Sequence, residues 1–140
     1  VLTKRPQRLV RLADSLPWPD HVWLGVSIES NNLAWRADYL RQVPATVRFV
    51  SAEPLLGPLD PLGLDGIDWL ITGGESGVRC RPCDYRWVAD LRDRCLRAGV
   101  AYFHKQWGGR TPKANGRELD RRTWDELPRP RRRVRAALPA

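Results

Sequence analysis

Apolar runs of strand length recur along the chain, and each ends in charge. Val22–Glu29, Val47–Glu53 and Ile67–Gly77 end in or carry Glu29, Glu53 and Glu75, and Ala101–Gln106 ends in Lys105 and Gln106. The opening Val-Leu-Thr-Lys-Arg reads as the tail of a fifth strand ending in Lys4. The runs are rich in β-branched and aromatic residues, as buried strands are. Segments with helical spacing or turn chemistry separate them. This alternation predicts an α/β fold of parallel β-α units joined by right-handed crossovers. Folds of this kind collect their chemistry at the carboxyl ends of the strands.

Alternation along the strands sets two faces. Val22, Leu24, Val26 and Ile28 point one way; Gly25, Ser27 and Glu29 point the other. Ser51 shares a face with Glu53, and Gly73 shares one with Glu75. One face is aliphatic and suited to covering helices, while the other turns small and polar toward its end. Both a barrel interior and a crevice above an open sheet have this gradient.

Between the strands, Pro6 suits a helix start, and Leu9, Leu12, Ala13 and Leu16 follow the spacing of one buried face. Ser30 or Asn31 is placed to cap a second helix with Leu33, Ala37 and Leu40 inward. Residues 54–66 hold too many prolines and glycines for more than a loop or a short turn. A third helix is predicted over about Asp84–Ala98, with Val88, Leu91, Cys95 and Ala98 inward and Gly99 as its stop. Thr123-Trp-Asp-Glu126 fits a capping box followed by about one turn.

The net charge of +8 suggests nucleic acid until it is located. Five of those charges sit on Arg129, Arg131, Arg132, Arg133 and Arg135, in a stretch without acids. Residues 129–140 read as a disordered basic tail, either solvated or in contact with nucleic-acid phosphates through Arg129–Arg135. No apolar run reaches the roughly 20 residues that span a bilayer, so no membrane role and a cytoplasmic location are expected. The chain opens inside a strand and holds no methionine, so it reads as a piece of a longer protein.

The strand ends supply the candidate site. Glu29, Glu53, Glu75 and Lys105 are the catalytic candidates; Lys4, Ser27, Gly73, Gly74 and Gln106 are candidates for holding a cofactor. The carboxylates bind a ligand's amine or act as acid or base on one reading, and pair with Lys4, Lys105 or Arg48 on the other. Lys105 likewise holds an anionic ligand group or pairs with a glutamate. Cys80-Arg-Pro-Cys83 has the spacing of zinc and redox sites without a second ligand pair nearby, so no metal site is expected. Cys95 reads as core and His104 as a packed histidine. The seven tryptophans are spread along the chain, as core and rim packing requires.

Five ordered blocks carry a family resemblance: Val-Leu-Thr-Lys-Arg-Pro, Trp-Leu-Gly-Val-Ser-Ile-Glu, Arg-Phe-Val-Ser-Ala-Glu-Pro-Leu-Leu-Gly-Pro, Asp-Trp-Leu-Ile-Thr-Gly-Gly-Glu-Ser-Gly and Phe-His-Lys-Gln-Trp-Gly. Over residues 1–128 the chain resembles the phage gene-product 37/68 family, found in prophages and bacteria and similar to radical S-adenosylmethionine enzymes. The resemblance implies a partial (β/α) barrel of about five parallel strands, with S-adenosylmethionine and a [4Fe–4S] cluster near the strand carboxyl ends. It places the cluster ligands in an N-terminal three-cysteine motif, which does not occur in these 140 residues. The expectation is therefore a C-terminal portion that supplies pocket residues but is inactive alone, with no cofactor bound tightly by this chain by itself. Its open sheet edges would be covered by a missing N-terminal half, a partner chain or self-association. The alternative is a non-catalytic binding module, reaching nucleic acid through the arginine tail.

Overall fold

The structure, a computed structural model, describes residues 1–130. Arg131, Arg132, Arg133 and Arg135 of the expected tail lie outside the described residues; Arg129 is exposed. Five strands form one parallel sheet in sequential order: β1 (Leu2–Thr3), β2 (Trp23–Ser27), β3 (Val47–Ala52), β4 (Trp69–Gly73) and β5 (Ala101–Gln106). Three α-helices lie between them: α1 (Pro6–Leu12), α2 (Arg36–Arg41) and α3 (Tyr85–Ala98). Among the described residues no helix is long and apolar enough to cross a membrane.

The register brings Val26, Val50, Leu70 and Tyr102 side by side, all fully buried. Ala37 and Leu40 of α2 and Val88, Leu91 and Cys95 of α3 join them in one core. This is the aliphatic face read from the alternation. The opposite face carries a layer of rings, one from each of the last four strands: Trp23, Phe49, Trp69 and Phe103. Trp69 lies about edge-on to Trp23 and Phe103, with centroids 6.1 Å apart in each case, and tilted against Phe49 at 5.7 Å. Phe49 packs where a Gly25 side chain would stand, since a Cβ there would lie 2.2 Å from the ring. All four rings are half-buried, so the helices cover one face of the sheet and the aromatic face is only partly shielded.

The helices match expectation where packing dictates them. The Asp84 side chain accepts from the Arg86 amide at the start of α3, and Gly99 ends it with φ at 66°. α2 begins only at Arg36, after a short 3-10 turn over Asn31–Leu33. The Ser30 hydroxyl bonds Asn32 Oδ1 and caps no backbone amide.

Three expectations are corrected. The leucine spacing of α1 marks a face that is buried only in part: Ala13 is buried and Leu9 packs against the core, but Leu12 and Leu16 are 41% and 40% exposed. The helix follows the two-residue strand β1 at the end of the sheet, and the described residues leave those two leucines partly uncovered. Thr123–Glu126 forms no helical turn. It runs antiparallel to β5, where the His104 amide donates to the Trp124 carbonyl at 3.0 Å and the Glu126 amide to the Tyr102 carbonyl at 3.1 Å. The Glu126 carboxylate accepts from the Tyr102 amide at 3.0 Å. Pairing with an otherwise empty strand edge outweighs a weak local capping signal. The sheet therefore does not have two open edges: the chain covers β5 itself, and only β1 is left unpaired among the described residues.

Candidate functional site

Tight turns of glycine-rich backbone follow β4 and β5, and they interlock. The Gly74 amide donates to the Gln106 carbonyl at 2.8 Å, and the Gly109 amide to the Glu75 carbonyl at 2.9 Å. Gln106 Nε2 returns two bonds, to the Gly74 carbonyl at 3.2 Å and to Ser76 Oγ at 2.8 Å. A Cβ on Gly74 would stand 1.9 Å from the Trp107 carbonyl oxygen, so only glycine permits this approach. At Gly73 a Cβ would lie 3.2 Å from the Glu53 carboxyl group, so the bare position leaves room for that carboxylate.

This backbone frames a hollow of about 490 Å³ at the strand carboxyl ends, lined by Glu53, Pro54, Gly74, Glu75, Ser76, Lys105, Gln106 and Pro112. Lys105 Nζ stands 2.7 Å from Glu53 Oε1, with the lysine half exposed. Glu75 is held from outside by Arg81, whose Nη2 and Nε reach its two carboxylate oxygens at 2.8 and 2.9 Å while the Arg81 amide adds a third bond at 2.8 Å. These bonds hold the Glu75 carboxyl down to about 2, well below the usual carboxylate range.

Five candidates thus come together: Glu53, Gly74, Glu75, Lys105 and Gln106. Gly73 shapes the hollow from behind Glu53. Lys4, Ser27 and Glu29 do not line it. Glu29 is 6% exposed and forms its own cluster, with Lys4 Nζ at 2.6 Å and Arg36 Nη1 at 3.2 Å. The same Arg36 nitrogen donates to the Ser27 carbonyl at 2.7 Å. The expectation that all three glutamates meet in one cavity is therefore corrected: two meet, and Glu29 ties β1 and β2 to the start of α2. Removing Arg36 strips a nearly buried carboxylate of one of its two cations. Arg36→Ala is expected to cost about 2 kcal/mol in urea unfolding, less than loss of a sole partner because Lys4 remains. A change under about 0.5 kcal/mol would show that water replaces the guanidinium.

Pro54, Ser76 and Pro112 of the lining, and Arg81 behind Glu75, are the site residues that the strand-end reasoning missed. Arg81 lies in a loop six positions after its partner, where no periodicity signals a contact, although its place within Cys80-Arg-Pro-Cys83 was already conspicuous. Those two cysteines are free and partly buried, and burial pushes the Cys83 thiol up to about 11. Cys95 is core, as expected, with its thiol pushed up to about 12 by burial. No group of three or more His, Cys, Asp or Glu side chains that could hold a metal occurs among the described residues. A larger hollow of about 600 Å³, lined in part by Asp65, Asp68, Gly99, Glu126 and Arg129, lies at the opposite strand ends and holds none of the candidates.

A family model described as a protein of unknown function, DUF5131, matches residues 1–128, and the chain belongs to that family. No curated protein and no solved structure matches it.

Proposed function

We propose that this DUF5131 chain is the C-terminal part of a phage-associated, radical S-adenosylmethionine-like protein of the gene-product 37/68 type, and that its hollow binds the cofactor or substrate. The observation that carries the reading is the convergence of Glu53, Glu75, Lys105 and Gln106 on one hollow at the carboxyl ends of β3, β4 and β5. The sequential strand order and the helix-covered face support an arc of a (β/α) barrel. The hollow's size suits a ligand of nucleoside dimensions.

The two implied groups fare differently against these residues. A cluster needs closely spaced thiolates, whereas Cys80 and Cys83 lie in the loop before α3 and Cys95 is sealed in the core. The described residues do not fit the cluster, and no step is derived through it. The donor set of the hollow matches the ammonium and carboxylate of S-adenosylmethionine, and Glu53, Gly74, Glu75, Lys105 and Gln106 would hold it. Bound beside a cluster it supplies radical chemistry. This chain's own side chains supply charge and hydrogen bonds that orient it, with Lys105 for a carboxylate and the glutamates for a cation. By itself the chain is therefore expected to leave S-adenosylmethionine uncleaved.

The aromatic face and the open edge of β1 are the surfaces that the rest of such a barrel, or a partner chain, would cover. The test of the site is an NMR titration of the labelled chain with S-adenosylmethionine at millimolar concentration. Amide shifts are expected at Gly74, Glu75, Ser76, Lys105 and Gln106, and Lys105→Ala should weaken binding by at least about fivefold. Shifts confined to other residues, or none at all, would remove the reading.

A further inference from the structure

We propose that Arg81 occupies, on the Glu75 carboxylate, the seat of a cationic group of the ligand, and that an incoming ammonium or guanidinium displaces it. The inference rests on the hollow being a ligand site, as read above, and adds which carboxylate takes the ligand's cation and a self-plugged resting state.

Four observations carry it. Glu75 lines the hollow, yet both of its carboxylate oxygens are taken by a side chain that approaches from outside it. The other carboxylate, Glu53, is already matched by Lys105 inside the hollow, so Glu75 is the carboxylate there whose cation is replaceable from within. The Arg81 side chain is 60% exposed, so water solvates its guanidinium as a ligand cation arrives, and this offsets part of the cost of opening the bidentate pair. Arg81 also lines a second hollow of about 320 Å³, with Cys80, Pro82, Cys83, Trp107, Gly109 and Asn115. That space receives the guanidinium when it leaves.

The backbone keeps the seat in place. The Arg81 amide still donates to Glu75 Oε2 at 2.8 Å after its side chain swings away, so the carboxylate stays aimed and half-satisfied. The bonds from Arg81 keep Glu75 ionised far into acid, and an ammonium in the same position would do the same. The exchange of one cation for another leaves the hollow's charge unchanged, and the penalty of an unpaired carboxylate never arises.

The test compares wild type with Arg81→Ala and Arg81→Gln, using S-adenosylmethionine, which carries an ammonium, and 5′-methylthioadenosine, which carries no cation. Both variants keep the amide bond to Glu75, and the glutamine variant guards against a loop disturbed by truncation. Both are expected to bind S-adenosylmethionine at least about fivefold more tightly than wild type, with 5′-methylthioadenosine unchanged within about twofold. Glu75→Gln in the Arg81→Gln background should cancel the gain. Weaker or unchanged S-adenosylmethionine binding in both variants would overturn the inference while leaving the site reading intact. A parallel gain for 5′-methylthioadenosine would overturn it too, since that gain would come from space rather than charge. Absence of binding to every form would overturn inference and site together.

Discussion

Gly74→Ala is expected to cost at least about 4 kcal/mol in urea unfolding, among the largest effects a single methyl group can have. The added Cβ would meet the Trp107 carbonyl oxygen at 1.9 Å and its carbon at 2.6 Å, both backbone atoms. Neither side has room to yield. The Trp107 amide donates to the Gly116 carbonyl at 3.0 Å, and its indole to the Glu118 carbonyl at 2.7 Å. The Gly74 amide is fixed to Gln106 at 2.8 Å. Relieving the clash means separating the turns after β4 and β5, and that separation dismantles the hollow. A domain that is only about 5–15 kcal/mol more stable than its unfolded chain would lose much of its margin. Gly57→Ala is the control, because a Cβ there meets nothing within 4 Å. If both alanine variants unfold at the same urea concentration, the turns are looser than their contacts imply and the hollow has no fixed shape.

The same interlock shows where sequence reasoning reached and where it stopped. All five strands were legible, because β-branched runs between turn signals leave few alternatives, and alternation shows which face is aliphatic. The strand-end polar residues Glu53, Glu75, Lys105 and Gln106 were legible for the same reason. What the sequence does not display is which charges meet. Glu29 stands at the end of β2 with the same local signature as Glu53, yet its partners Lys4 and Arg36 draw it into a separate cluster. That difference depends on where α2 starts, and the 3-10 turn that delays it has no distinct composition.

Elsewhere the misreadings came from tertiary context. Leu12 and Leu16 have helical spacing, but α1 follows the edge strand β1 and their burial depends on what lies next to it. The Thr123–Glu126 signal is local, and the edge of β5 supplied stronger partners. Arg81 was visible only as the residue between two cysteines, whereas its chemistry is the clamp on Glu75. A contact between loop residues leaves no periodic trace, so it becomes readable only when both turns are built.

Acid should destabilise the protein through His104. His104 is fully buried beside Trp107, with ring centroids 4.6 Å apart. Its Nδ1 lies 2.9 Å from Thr72 Oγ1, which lies 2.8 Å from the Tyr102 hydroxyl, and that hydroxyl donates to the Val88 carbonyl at 3.3 Å. Following the donors backward assigns the proton to Nδ1 and leaves Nε2 bare, and Nε2 has no partner among the described residues. Protonating it would bury a charge without an acceptor, next to the positive charge of Arg117. Burial first, and Arg117 second, push the imidazole down to about 4 from an ordinary 6.5. The folded protein thus binds this proton less readily than the unfolded chain. The stability His104 contributes is complete above about pH 6.5 and is lost as the pH falls toward 4, by about 3 kcal/mol over that span. His104→Asn keeps a donor for Thr72 and cannot titrate. Between pH 7 and 4 the unfolding free energy of wild type should fall about 3 kcal/mol further than that of the variant; parallel curves would mean that the ring already finds an acceptor when it is charged.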